Sequence, residues 1–222
     1  MKNHKENIRV TIGITSFNAE KTISEVISCA FNQSWINKEI IIVDDGSSDH
    51  SQNIIEKKIK NKGINFIKNK INRGTSFSRN IIIKNSTSNL ICFMDDDDYS
   101  DFDRVKKQVQ EIIKSGYPKE KLIACCTGIS KTYKNGYCKN LFPMGSKGRL
   151  PKGEELADYL LFYEKVRGVD YGFSLPTCSL MITKDCFKKY GEFDLNLKRV
   201  EDMDLSIRLS LGNVKFISVK EI

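Results

Sequence analysis

Two phosphate-binding signatures are missing from this chain. No G-x-G-x-x-G follows its first expected strand, and no G-x-x-x-x-G-K-[ST] occurs anywhere. Their absence excludes a dehydrogenase-type dinucleotide site and a P-loop, so any bound phosphates must be held by a metal and basic side chains. No apolar run approaches the ~18 residues that a membrane-spanning helix needs. The start, Met1–Asn7, is polar and lacks the apolar core of a signal peptide, so a soluble, non-secreted protein is expected. Cysteine is present but unorganised: the seven residues form no C-x-x-C pair, and an odd count argues against a disulfide framework. Structural zinc is not expected, and a reducing, cytoplasmic compartment fits best. His4 and His50 are not expected to be metal ligands. There is no internal repeat. No Lys/Arg block with interleaved aromatics occurs, so no nucleic-acid partner is expected.

The 222 residues suffice for one sizeable domain with its own core. Lys and Arg number 36 against 28 Asp and Glu, a formal charge of +8 spread along the chain. The excess reads either as attraction to anions, such as nucleotide or anionic lipid, or as plain composition in a Lys-, Asn- and Ile-rich chain.

Ile8, Val10, Ile12 and Ile14 alternate with Arg9, Thr11, Gly13 and Thr15, which predicts a first strand. Asn18 is placed to cap the next helix, where Ile23, Val26, Ile27, Ala30 and Phe31 recur at helical spacing. Glu39–Val43 predicts strand two, ending at the polar turn Asp44-Asp45-Gly46-Ser47. A helix with Ile54, Ile55 and Ile59 follows, then a strand over Ile64–Ile67 and a short helix over Phe77–Asn85. Strand four covers Leu90–Met94, and Val105, Val109, Ile112 and Ile113 mark an amphipathic helix. Residues 8–115 thus alternate strand and helix four times, the signature of an α/β fold with a mostly parallel sheet flanked by helices. The second half is less regular. It predicts a strand over Leu122–Thr127, a hairpin around Tyr133–Tyr137 and a mobile loop over Pro143–Pro151. A helix with Leu156, Leu160 and Tyr163, a strand over Ser179–Ile182 and a helix over Asp185–Tyr190 closed by Gly191 come next. A helix over Glu201–Leu211 and a strand over Val214–Val219 end the chain. One domain, 1–222, is expected, with functional halves 8–115 and 116–222. Whether the chain was cut from a longer protein stays open.

Ligands of an open parallel sheet bind beyond the carboxyl ends of its strands. Thr15, Ser16 and Phe17 end strand one, Asp44 and Asp45 end strand two, and Asp95-Asp96-Asp97-Asp98 end strand four. Three polar groups therefore converge on one edge. Four like charges directly after a buried strand repel one another unless a cation or solvent absorbs the charge. Mg²⁺ or Mn²⁺, hard ions that take oxygen ligands and share them with phosphates, are the plainest occupants. Two blander readings stand beside this one: a capped turn at Asp44–Ser47, and an acidic helix start near Asp101. A helix dipole contributes at most ~2 kcal/mol, too little to account for four acids together with Asp101 and Asp103.

Five segments, in order, resemble those of the family 2 glycosyltransferases, which have the GT-A fold. The resemblance covers roughly residues 8–219. Val10–Glu20, VTIGITSFNAE, looks like the opening strand and base-contacting turn, with Phe17 where tyrosine is usual and Thr15 where proline is frequent. Ile42–Asp49, IVDDGSSD, is similar to the nucleotide-binding turn, whose second acid, here Asp45, reads uracil or ribose. Asn72–Asn80, NRGTSFSRN, resembles the segment that brings an arginine, here Arg79, near the nucleotide; Ser78 replaces the usual alanine. Phe93–Asp98, FMDDDD, looks like the DxD segment, with Asp95 and Asp97 as its two acids and Asp96 as the spacer. Gly191–Asp194 followed by Glu201–Leu205 resembles the segment whose acid after the glutamate is the catalytic base, which falls on Asp202.

The resemblance implies an inverting transfer of a sugar from a nucleoside diphosphate sugar, UDP-linked by expectation, to the hydroxyl of a glycan or lipid-linked acceptor in bacterial surface glycan synthesis. It assigns Asp202 as base with Glu201 as fallback, and Asp95 and Asp97 to Mn²⁺ or Mg²⁺. It assigns Thr15, Phe17, Asn18, Glu20, Asp44, Asp45, Arg79, Asp95 and Asp96 to the nucleotide sugar. Lys147 and Arg149 of the Pro143–Pro151 loop read either as a lid over the diphosphate or as part of a plain connection. No histidine follows residue 202 to join the metal. A cytoplasmic place is expected, with contact at the inner membrane face left open, as is the oligomeric state. A metal-dependent nucleotidyltransferase, a non-catalytic nucleotide-sugar-binding module and a retaining transferase remain as alternatives.

Overall fold

A computed structural model of the protein describes residues 8–220. The readings of Met1–Asn7 and of His4 fall outside the described residues. The chain forms two compact units: one runs to Lys106 and takes in Glu192–Glu201, the other comprises Lys107–Gly191 and the stretch from Asp202.

The first unit is built from β1 (Val10–Ser16), α1 (Ile23–Phe31), β2 (Lys38–Asp44), α2 (Ser51–Ile59), β3 (Asn65–Lys68), α3 (Thr75–Asn85), β4 (Leu90–Asp95) and the start of α4 (Arg104–Lys114). Its four strands are all parallel, in the order β3-β2-β1-β4. Ile12 of β1 lies opposite Ile40 on one side and Cys92 on the other. In the same register Ser16 meets Asp44 and Thr15 meets Asp95, so three strands finish at one level.

Ile40–Val43 and Leu90–Met94 are buried along their whole length, which explains why they read as unbroken apolar runs rather than alternating ones. The alternation in β1 has a different cause. Thr11 is also buried, and its hydroxyl joins Glu39 and Ser86. Glu39 further accepts from the Thr87 and Ser88 amides and hydroxyls, tying the turn before β4 to β2. Burial opposes the ionisation of Glu39, but these donors outweigh it and hold the carboxyl at about 2. Gly13 is required by close packing: a Cβ there would sit 2.5 Å from Ile82 Cγ2 on α3.

Asn18 does not cap α1. The helix starts only at Ile23, after Thr22, and Asn18 itself takes a left-handed conformation at φ 52°. Its side chain accepts from Ser48 N at 2.9 Å instead.

The second unit contains β5 (Ile123–Cys126), β6 (Ile129–Thr132), β7 (Cys138–Leu141), α5 (Glu154–Phe162), β8 (Leu180–Thr183), α6 (Lys184–Tyr190), α7 (Glu201–Leu211, from Asp202 onward) and β9 (Lys215–Ser218). β5 runs antiparallel to β8 and parallel to β9. β6 and β7 form a separate two-stranded hairpin, as Asn135-Gly136 predicts. The Pro143–Pro151 segment is tied down rather than loose. Gly145 N donates to Asp170 O, Arg149 N to Gly168 O, and Arg149 pairs with Glu155. The Arg149 guanidinium is thereby committed within its own neighbourhood. Among the described residues no helix is long and apolar enough to cross a membrane.

Candidate active site

A cavity of about 820 Å³ opens at the carboxyl ends of β1, β2 and β4, and every residue lining it belongs to the first unit. Its size falls in the usual range for a small-molecule site. Thr15, Ser16 and Phe17 line it beside Asp95, Asp96 and Asp97. The loop after β3 and the start of α3 add Arg73, Gly74, Thr75 and Ser76, while Leu195, Leu197 and Lys198 close a further side.

Arg79 organises this site. Its side chain is only 5% exposed; Nη1 donates to Glu201 Oε1 at 2.8 Å and Nη2 to Asp95 Oδ1 at 3.0 Å. Its guanidinium carbon stands 5.4 Å from the Phe193 ring centre, within cation–π range. The neighbouring Asn80 fixes that ring's backbone: Asn80 Nδ2 donates to Phe193 O at 2.8 Å, and Phe193 N donates to Asn80 Oδ1 at 3.0 Å. Phe193 packs edge-on to Phe93 of β4, centroids 5.8 Å apart. Consecutive residues of α3 thus lock the segment before Glu201 onto the strand that carries Asp95.

Asp45 is buried and accepts from Asn69 Nδ2, Arg73 N and Gly74 N, with the last at 2.7 Å. It shapes the loop that leads into α3. That helix begins in the cavity wall, so its N-terminal amides and dipole favour an anion there. Arg73, whose guanidinium stacks 3.6 Å from the Phe77 ring centre, and Lys198 add positive charge to the lining.

The carboxylates of the lining carry the reverse bias. Burial raises the pKa of Asp96; the Phe17 amide that it accepts at 2.8 Å opposes this, and the charges of Asp97 and Asp95 raise it further. Asp97 is exposed and has no hydrogen-bond or ion-pair partner among the described residues. Asp95 and Asp97 therefore supply oxygens of the kind a hard divalent cation takes, in a place where negative charge is crowded, and the residues fit such an ion. Asp101 and Asp103 behave differently. Asp101 O accepts from Arg104 N and its side chain from Asp103 N, while Asp103 accepts from Ser34 Oγ. The helix-start explanation holds for these two acids at α4 and leaves Asp95–Asp97 to the cavity.

The sequence-expected residues therefore separate. Thr15, Phe17, Asp45 and Arg79 line one cavity together with Asp95, Asp96, Asp97 and Glu201. Asn18, Glu20 and Asp44 do not line it. Asp44 is fully buried and holds Ser47 N and Gln52 Nε2. Asn18 N donates to Ser47 Oγ, and the Glu20 amide and carboxylate meet Asp49 and the His50 amide. These three residues stitch the turn after β1 to the turn after β2. Asp202, the expected base, follows Glu201 on α7 but is not among the lining residues; its Oδ1 accepts from Met203 N. Sequence reading missed Arg73 and Lys198. Arg73 sits inside the NRGTSFSRN segment, so that segment was the available signal; Lys198 had none.

Strand order, parallel register and the cavity at the strand tips are those of a GT-A glycosyltransferase. Over 97% of this chain and 36% of the other, the structure superposes on that of S. aureus TarS, with a TM-score of 0.72 at 18% identity. A mannosyltransferase from Pyrobaculum calidifontis, in complex with GDP-Man and Mn²⁺, gives a TM-score of 0.67 at 12% identity over 96% of this chain and 56% of that one. The chain belongs to glycosyl transferase family 2, whose sequence profile matches residues 11–153. It is 37% identical over 100 residues to WfaP of Escherichia coli, a UDP-Glc:alpha-D-GlcNAc-diphosphoundecaprenol beta-1,3-glucosyltransferase; the match covers 45% of this chain and 39% of that one. It is 24% identical over 220 residues to the amylovoran biosynthesis glycosyltransferase AmsB of Erwinia amylovora, covering 97% of this chain and 68% of that protein. The match to the first of these relatives thus takes in about two fifths of the relative's length.

Proposed function

We propose that this protein transfers a sugar from a UDP-sugar to an acceptor hydroxyl with inversion, in the assembly of a bacterial surface polysaccharide on a lipid-linked acceptor at the cytoplasmic face of the membrane. The observation that carries the reading is the Arg79 bridge, which joins the DxD acid Asp95 to Glu201, the neighbour of the proposed base, in a cavity lined by both acids and cations. The relatives support it: one acts from UDP-Glc on a diphosphoundecaprenol acceptor, and TarS has been captured with UDP, in a structure that matches this one with a TM-score of 0.70.

In this reading Phe17 stacks on the base, and Asp45 orders the loop beside the ribose. Arg73, Lys198 and the start of α3 take the diphosphate. Asp95 and Asp97 would hold Mn²⁺ or Mg²⁺, which when bound supplies counter-charge for the leaving diphosphate. Asp202 accepts the acceptor's proton as its oxygen attacks the anomeric carbon from the opposite face. Neighbouring side chains on a helix diverge by about 100°, so Asp202 and Glu201 do not share a direction: Glu201 pairs with Arg79, and Asp202 is the acid assigned to the acceptor.

Calorimetry with UDP, with and without Mn²⁺, tests the donor half. Binding should require the ion and be lost in Asp97→Ala. Asp202→Asn should lower turnover by about 10²–10⁴-fold while leaving UDP affinity unchanged. Ion-independent UDP binding, or wild-type turnover in Asp202→Asn, would overturn the assignment. Proton NMR of the product anomer reads inversion directly.

A further inference from the structure

The β6–β7 hairpin does not contribute to the cavity, and its chemistry is unusual. From Ser130 to Asn140 every residue is exposed. The ribbon from Ile129 to Phe142 contains no acid and three lysines. Ladder partners are Lys131 with Lys139 and Thr132 with Cys138, and Tyr133 N donates to Tyr137 O at 2.9 Å to continue the pairing. Side chains two apart share a face, so Lys131, Lys139, Tyr133 and Tyr137 stand together on one side. Contacts agree: the Lys131 ammonium lies 5.4 Å from the Tyr133 ring centre, and the two tyrosine rings are 5.8 Å apart. The opposite face carries Ser130, Thr132, Cys138 and Asn140, all uncharged.

Two lysines directly opposed across a ladder repel each other, and a lone two-stranded hairpin in water is marginal to begin with. Neither lysine has a carboxylate partner among the described residues. An anionic surface against this face would remove the repulsion. Tyrosines beside lysines also match the make-up of a lipid headgroup layer, where aromatic rings settle at the boundary and cations meet phosphate. We propose that this face of the hairpin docks on an anionic phospholipid surface. Such docking draws on the hairpin's own chemistry and does not depend on sugar transfer.

Sedimentation of the full chain with vesicles of phosphatidylcholine alone, or with added phosphatidylglycerol, tests it without nucleotide or sugar, so its result is independent of the donor site. The wild type should pellet only with the anionic vesicles and be released by high salt. Lys131→Ala and Lys139→Ala should each weaken binding about fivefold. Lys131→Arg/Lys139→Arg should bind like wild type, and all variants should keep the wild-type melting temperature, which separates lost docking from lost folding. Equal pelleting with both vesicle types, no pelleting with either, wild-type binding by the alanine variants, or a lysine-dependent preference for a single-stranded oligonucleotide over the vesicles would each overturn the proposal.

Discussion

Arg79 shows how a residue can be recognised in a sequence while its partners stay hidden. Its place in NRGTSFSRN suggests an arginine near the nucleotide. In the fold both terminal nitrogens are already committed, to Asp95 and to Glu201. It therefore serves as a strut between two carboxylates that would otherwise face each other with uncompensated charge. Removing one partner of a buried pair strands the others. Arg79→Met should destabilise the protein by about 2–3 kcal/mol, a fall of roughly 4–12 °C in Tm for a chain of this size, measurable by scanning calorimetry. Arg79→Lys should recover only part of this, because a point charge cannot fork between two carboxylates as a guanidinium does. Asp45 was legible as a residue of the site from its place after strand two. Its three protein donors were not, because they come from Asn69, Arg73 and Gly74 across a loop whose path no local pattern specifies.

Among the elements, the strands and helices of the first unit follow the expected segments to within a few residues at their ends. Continuous apolar runs buried on both faces and amphipathic helices between them are local signals, and they survive folding unchanged. The turns were harder to read. The apparent cap Asn18 became a stitch between two loops, because Ser48 offers an amide where α1 does not. A second stitch joins β2 to the turn before β4 through Glu39, and its consequences can be measured. The Glu39 carboxyl is held at about 2 against an ordinary 4.5, so the fold favours its ionised form. That contribution is complete above about pH 4.5 and is lost as pH falls toward 2. Glu39→Gln should be less stable than wild type by about 1–2 kcal/mol at pH 7, and the difference should shrink to near zero by pH 2. Urea unfolding midpoints at the two pH values check both the size and the sign.

At the scale of the whole molecule, the cavity draws all its lining from one of the two compact units, although that unit collects Glu192–Glu201 from late in the chain. Ligand binding should therefore register as stabilisation. UDP with Mn²⁺ at about 100 times Kd should add ~2.7 kcal/mol, raising Tm by roughly 5–10 °C, and UDP alone should not. Thermal shift across a panel of nucleotides reads this directly and ranks the bases. The sequence by itself determined the alternation of strands and helices and the carboxylates at three strand ends, because apolar periodicity and the residues that interrupt it are local properties. The tertiary structure alone decided that Arg79 meets Glu201, 122 residues away, that Asp44 turns inward while Asp45 lines the cavity, and that Lys198 joins the lining. Such partnerships follow from strand order, register and the packing of α3 against the Phe193 segment, which exist only once distant parts of the chain are brought together.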